Sequence, residues 1–262
     1  MFVLIRGAGD LASGIALRLC HAGFSIAMTE IAAPLSVRRT VSFSQAVYEG
    51  RFRVEDVEAV LVSDEAGMKA AWNQCQIAVF IDPEAAIVER FHPAVLVDAI
   101  MAKRNTGTAI TDAPAVIGVG PGFRAGLDCH AVIETQRGHT LGRVITEGSA
   151  LPNTGVPGEI GGHSVDRLLR APADGLFSAL ASIGDRVAKG DTVASVDGTP
   201  LAAGIDGVLR GLLPSGIQVK RGMKAGDIDP RCDVSHCFTV SDKALAIGGG
   251  ALEAVLRFHK PV

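Results

Sequence analysis

Asp174-Gly175-Leu176-Phe177-Ser178-Ala179-Leu180-Ala181-Ser182-Ile183-Gly184-Asp185-Arg186-Val187-Ala188-Lys189-Gly190 reads as one half of an internal repeat. Asp174-Gly175 returns as Asp206-Gly207, Leu180 as Leu212, Gly184 as Gly216, Val187 as Val219 and Gly190 as Gly222, always 32 residues on. Each half carries Asp-Gly, an apolar strand, Gly-x-x-Val, a basic residue, Gly and a second short strand. Glycines at fixed offsets supply positive-φ turns, and the Val between them points into a shared core. Neither half can bury its apolar face alone. The two are therefore expected to interlock into one small β barrel between about Asp174 and Asp229.

The run Ile183-Gly184-Asp185-Arg186-Val187-Ala188-Lys189-Gly190-Asp191 resembles the turn motif of the biotinyl/lipoyl, or barrel-sandwich hybrid, fold. In the carriers of that fold the modified lysine sits on the hairpin between the halves. Here the hairpin falls near Val196-Asp197-Gly198-Thr199-Pro200-Leu201, and no lysine lies between Lys189 and Lys220. The resemblance implies the fold without the swinging arm.

Upstream the texture changes. Met1 to Arg6, Phe24 to Met28, Ile77 to Ile81, Val95 to Val97 and Val116 to Val119 are short apolar runs that end at Asp, Glu or Gly, with helical stretches between them. Near-continuous apolar strands with crossover helices describe a parallel sheet, whose ligand lies beyond the carboxyl ends of the strands. The expected class is α/β: a Rossmann-like parallel sheet with helices over residues 1–125, a polar connecting segment over 126–170, the barrel over 171–230, and a C-terminal segment with a helix over 231–262.

Gly7-Ala8-Gly9-Asp10-Leu11-Ala12 follows the first strand and opens a helix, and Glu30 closes the second strand. Gly7 would make the tight turn, Gly9 would let a pyrophosphate approach the backbone, and Ala12 would let the helix pack close. Glu30 could accept hydrogen bonds from a ribose diol. The plain alternative is a tight strand-helix turn that binds nothing. Asp10 complicates the picture, because its carboxylate faces any bound phosphate unless it turns away or meets a metal ion. Arg38-Arg39 could fork onto phosphate or carboxylate, or be a solvated pair at a helix end. Gly120-Pro121-Gly122 could nest an anion or simply mark a rigid exit.

Glu134, Arg137 and His139 crowd around glycines, and His139 suits general-base work, although such a histidine is more often a structural hydrogen-bonder. Cys232, His236 and Cys237 fit no common zinc spacing, so no metal site is expected. Ile247-Gly248-Gly249-Gly250 reads as a glycine loop entering a terminal helix, a second anion site or a tight turn.

Composition bounds the partners. A net charge of −3 gives no electrostatic case for nucleic acid or an anionic membrane. No apolar run is long enough to span a bilayer, and Met1 to Ile5 reads as a strand rather than a signal peptide. Five cysteines at irregular spacing argue against a disulfide framework and for the cytoplasm.

A resemblance can then be stated on Arg6-Gly-Ala-Gly-Asp-Leu-Ala12, Met28-Thr29-Glu30, Arg38 to Phe43, Ala46 to Gly50, Gly120 to Phe123, Glu134-Thr135-x-Arg137-Gly138-His139, Gly142-Arg143, Asn153-Thr154-Gly155, Asp227 to Arg231 and Ser241-Asp242-Lys243-Ala244. Together they resemble the YqeB-type accessory proteins of the selenium-dependent molybdenum hydroxylase system; Gln136 departs from an expected methionine. The resemblance implies maturation of molybdenum hydroxylases, with such a hydroxylase or its maturation proteins as partners, and leaves the reaction open. Two functions follow. One is a binding factor holding a dinucleotide-type ligand, NAD or the cytosine-dinucleotide form of the molybdenum cofactor, at Gly7, Gly9, Asp10, Ala12 and Glu30 with Arg38, Arg39, Gly120 and Gly122. The other is an NAD-dependent oxidoreductase or a cofactor-modifying transferase using His139, Glu134 and Arg137. The apolar C-terminal helix could serve a homo-oligomer as well as its own core.

Overall fold

The computed structural model describes residues 1–258, so the last four residues of the 231–262 segment lie outside the described residues. The chain forms two compact units. The first comprises Met1–Pro34, Ser42–Thr154 and the C-terminal segment from Val240; the second comprises Leu35–Val41 and Gly155–Thr239.

The first unit is built on nine strands: β1 (Phe2–Arg6), β2 (Ser25–Glu30), β3 (Arg51–Val54), β4 (Val57–Leu61), β5 (Ile77–Ile81), β6 (Val95–Asp98), β7 (Ala115–Val119), β8 (Ala131–Ile133) and β9 (Val144–Ile145). They form one sheet in the order β3-β4-β5-β2-β1-β6-β7-β8-β9. Pairing is parallel from β4 to β8 and antiparallel at the two edges, β3 with β4 and β8 with β9. The sheet is therefore mixed. Both edge pairs are local returns of the chain, the first through Glu55 at φ 53°. β8 and β9 lie in the stretch 126–170, expected as a polar connecting segment, and make it part of the sheet.

Four helices of this unit are α1 (Asp10–His21), α2 (Ala46–Glu49), α3 (Glu65–Asn73) and α4 (Ile87–Phe91). Side chains alternate across a strand, so Leu4, Ala27, Ala78, Leu96 and Val116 share one face, where Met68 of α3 and Ile87 of α4 cover them. Val3 and Ile5 point the other way and are equally buried.

The second unit holds β10 (Leu168–Arg170), β11 (Gly175–Ala179), β12 (Arg186–Val187), β13 (Thr192–Val196), β14 (Thr199–Ala202), β15 (Gly207–Leu212), β16 (Gln218–Val219) and β17 (Lys224–Asp229), then the short α5 (Ser235–Phe238). They make two four-stranded antiparallel sheets, β10-β17-β15-β12 and β14-β13-β11-β16. The repeat is visible in their spacing, but each half contributes strands to both sheets: β12 pairs with β15, and β16 with β11.

This architecture corrects the expected fold class. A nine-stranded mixed sheet and two separate antiparallel sheets replace the Rossmann-like parallel sheet followed by a biotinyl/lipoyl barrel. The physical reason is that strand alternation and a repeat period specify where strands lie; which edges they pair is decided by long-range contacts.

The chain closes with α6 (Asp242–Phe258), which returns to the first unit and packs along α1. Gly248, Gly249 and Gly250 lie inside this helix, so they are neither a loop nor an anion site. A Cβ on Gly14 would sit 2.7 Å from that of Ala244, and one on Gly248 would sit 2.6 Å from the Gly14 carbonyl oxygen. Residues 14 and 18 of α1 meet residues 244 and 248 in the same order, so the two helices run parallel and their N-termini lie at the same end.

An ionic core holds the second unit. Arg167 pairs with Asp227, Arg210 reaches Asp227 at 4.0 Å and Asp229 at 3.8 Å, and Arg231 closes on Asp229 at 2.6 Å. Burial pushes the Asp229 carboxyl up, but hydrogen bonds and charge from Arg231, with the charge of Arg210, override it and hold it at about 2, below the ordinary 3.8. A carboxyl depressed in the folded state stabilises above its unfolded pKa and loses that stabilisation as pH falls through the folded value. Stability is thus expected to drop between pH 3.8 and about 2. Acid titration monitored by circular dichroism checks this, and Asp229→Asn should flatten that interval; an unchanged slope would count against it.

Candidate functional site

The chain order of the sheet reverses beside β1: β2 lies on one side of it and β6 on the other. In open α/β sheets such a reversal leaves a crevice at the carboxyl ends of the strands. Gly7 to Gly9 lie at that point. Gly7 adopts φ +91°, and a Cβ there would meet the backbone of Ala99 and Ile100 after β6 at 3.2 Å. Both conditions require glycine. Gly9 differs, because as N-cap of α1 it has φ −72° and ψ −175°, a backbone open to any residue, and it brings no side-chain cap. Ser, Asp or Asn would cap this helix better. What glycine changes at position 9 is that no side chain stands beside the first N–H groups of α1.

Glu30 braces the turn. Its Oε2 accepts the Ala8 N–H at 3.0 Å and its Oε1 the Ile31 N–H at 2.9 Å. Burial raises its carboxyl above the ordinary range, against the two hydrogen bonds that lower it. Each oxygen keeps a second lone pair, so the group can still receive a hydroxyl. Ala12 is buried, consistent with close helix packing. Ser13 Oγ ties the turn down further, donating to the Ala8 carbonyl at 3.2 Å and accepting the Phe43 N–H at 2.8 Å.

Two residues beside this turn escaped the sequence reading as site residues. Arg6, the last residue of β1, is buried and reaches Asp98 at 3.2 Å, while Thr108 Oγ1 donates to the same Asp98 oxygen at 2.6 Å. The Arg6 Nε–H is buried without a partner among the described residues. A charged residue closing an apolar strand was the available signal. Lys243 is the second. It stands on the first turn of α6, next to Ala244, which touches Gly14, and its amine makes no hydrogen bond to the described residues. Burial and then the charge of Arg137 lower its pKa, while Asp10, Glu134 and Asp242 pull it up.

Glu134, Arg137 and His139 do share one turn. Glu134 is buried and spends its carboxylate on backbone N–H groups: Thr135 at 2.7 Å, Gln136 at 2.8 Å and Leu151 at 2.8 Å. Arg137 grips Asp242 with both guanidinium arms, at 2.6 and 2.8 Å. His139 is exposed. The arrangement anchors a turn to the start of α6.

The remaining candidates have backbone duties. Gly120 has φ +78°, and a Cβ there would strike Thr135 at 2.8 Å; Gly122 has φ +112° and would strike the Arg104 backbone at 2.6 Å. Arg38 and Arg39 belong to the segment counted with the second unit. There Arg38 donates to the carbonyls of His236 and Thr239 at 3.1 and 3.2 Å, and Arg39 Nε to that of Leu212 at 3.1 Å. The five cysteines are free. Among the described residues no group of three or more His, Cys, Asp or Glu is set to hold a metal ion, and no helix is long and apolar enough to cross a membrane.

No protein-family model matches the chain. Among solved structures it is similar to an aspartoacylase family protein from Mesorhizobium loti, with 13% identity, 80% of this chain and 58% of that chain covered, and a TM-score of 0.26. The ectoine utilization protein EutE of Ruegeria pomeroyi gives 13% identity over 78% of this chain and 57% of that one, with a TM-score of 0.23. Neither score supports an argument about this chain. In sequence, 254 residues are 49% identical to YqeB of Escherichia coli (strain K12), described as an uncharacterized protein. The match takes in 97% of this chain and 47% of YqeB, so the chain spans about half the length of that relative. Over nearly all of its own length, the chain is similar to YqeB.

Proposed function

We propose that the first unit binds a phosphate-bearing ligand of dinucleotide type at the Gly7–Gly9 turn, and that the protein acts as an accessory factor in molybdenum hydroxylase maturation. The observation that carries the ligand reading is Gly9. A glycine with an ordinary backbone, at a cap position where a polar side chain would stabilise the helix, leaves the first turn of α1 open to an anion. Three features support it. The turn sits at the sheet's reversal, Glu30 stands beside it for a hydroxyl, and α6 brings a second helix N-terminus to the same end with Lys243 on it. NAD and the cytosine-dinucleotide form of the molybdenum cofactor are the two candidates. The cellular role rests on the YqeB-type motifs, with a molybdenum hydroxylase or its maturation proteins as partners.

Isothermal titration against both dinucleotides tests the binding. Saturable heat is expected, and Gly9→Val should weaken it by about tenfold or more by filling the approach. No heat with any nucleotide, in metal-replete and metal-free buffer alike, overturns the reading. For the cellular role, deletion of the gene should lower molybdenum hydroxylase activity; unchanged activity removes it.

A further inference from the structure

We propose that Arg6 receives the carboxylate of a small organic acid at the carboxyl ends of β1, β2 and β6, on the face of the sheet that α3 and α4 cover. This does not rest on the reading of the Gly7–Gly9 turn. The strand register places the group. Arg6 pairs with Thr29 of β2 and Asp98 of β6, Thr29 with Phe80 of β5, and Asp98 with Gly118 of β7. Paired residues of parallel strands point to the same side, and Leu4, two residues before Arg6, faces α3 and α4. One row of five positions therefore crosses the strand ends on that face, with Phe80 and Gly118 outermost and three polar residues between them. Thr29, Arg6 and Asp98 are all buried, whereas the row beneath them is apolar, with Ala27, Leu4 and Leu96. Polar groups at the strand where the order of a sheet reverses lie where open α/β sheets take their ligands.

The Arg6 guanidinium is held by one nitrogen. Nη1 donates to Asp98 Oδ2 at 3.2 Å and to Thr108 Oγ1 at 2.5 Å, and Thr108 donates to the same Asp98 oxygen at 2.6 Å. Asn105 fixes Thr108 in turn: its Nδ2 donates to the Thr108 carbonyl at 2.7 Å, and its Oδ1 accepts the Thr108 N–H at 2.8 Å. The opposite edge of the guanidinium carries Nε–H and one N–H of Nη2, parallel and side by side. Neither has a hydrogen-bond partner among the described residues. The Nε–H is buried and Nη2 is not, so the edge is reached from the Nη2 end. A buried donor left unmet is costly, and in a native protein it marks the place of an acceptor. This edge matches the two oxygens of a carboxylate. Asp98 already balances the Arg6 charge, so a singly charged group meets less repulsion there than a phosphate with its greater charge. The Thr29 hydroxyl, paired with Arg6 in the row, also makes no hydrogen bond to the described residues and can supply a further donor.

The test is side-chain NMR of the isotope-labelled wild-type protein. It follows the Arg6 Nε–H resonance, assigned through its own side chain, during titration with acetate, acetamide and inorganic phosphate. Acetate in the millimolar range is expected to shift the resonance saturably, and the other two much less. No shift with acetate, or an equal one with acetamide or phosphate, overturns the proposal. Gly9→Val should leave the acetate titration unchanged, since among the described residues none of α1 belongs to the apolar cluster beneath this row. Loss of the shift in that variant would place the anion at the turn and overturn the proposal as well. An acetate shift that persists in a protein binding no nucleotide upholds Arg6 and removes the reading of the turn, so the two fail separately. The readout is one N–H of the folded wild-type protein, and no substitution at residue 6 is needed.

Discussion

Gly250→Ala is expected to destabilise the first unit by about 2–3 kcal/mol, although alanine is the better helix former by about 1 kcal/mol. A Cβ at position 250 would lie 2.0 Å from the Gly142 carbonyl oxygen, with the Ile133 side chain at 3.1 Å. The clash is with backbone, and Gly142 cannot easily yield, since its own φ is +79° and a Cβ there would meet the Ala246 carbonyl oxygen at 2.5 Å. Gly248→Ala meets the Gly14 carbonyl oxygen at 2.6 Å and should behave alike. Gly249 is the built-in contrast. It is exposed, with nothing within 4 Å of its Cβ position, so Gly249→Ala should stabilise by about 0.5–1 kcal/mol. Urea denaturation of the three variants reads all of this; equal effects at 248, 249 and 250 would refute the packing account.

The second large effect lies in the other unit. Asp227 is buried between Arg167 and Arg210, and the Nε–H of Arg167 already lacks a partner among the described residues. Asp227→Ala removes the carboxylate that the buried Arg167 and Arg210 share, and should cost about 3–5 kcal/mol. Replacing the pair together, Arg167→Met with Asp227→Leu, removes both charges and should cost much less. A urea transition for this unit that moves by under about 1 kcal/mol in Asp227→Ala would show that the cluster is not under electrostatic stress.

These contacts also show what the amino-acid order could and could not reveal. The repeat was legible because turn glycines and strand starts recur together: β11, β12 and β13 begin at 175, 186 and 192, and β15, β16 and β17 begin at 207, 218 and 224. Pairing was not legible, since a likeness between halves does not say which sheet a strand joins. The β1 turn and its helix were legible from periodicity and glycine placement. Gly248 to Gly250 misled because low helix propensity was overridden by close contact with α1 and with Gly142. Glu134 looked like a reactive acid because the groups that occupy it are backbone N–H groups, which leave no mark in a sequence. Lys243 lies within Ser241-Asp242-Lys243-Ala244, where a cation on the first turn of a helix is the signal that sets it apart.

The return of α6 to α1 has a consequence for synthesis on the ribosome. α1 ends at His21 and α6 begins at Asp242, so roughly two hundred residues separate the partners of one helix pair. At the usual rate of chain growth, α1 waits some tens of seconds, its glycine face bare, before α6 exists to cover it. The strands and loops of the second unit are made within that interval. Its fold can therefore mature first, while the packing of α1 behind the Gly7–Gly9 turn stays unfinished until nearly the last of the described residues has emerged.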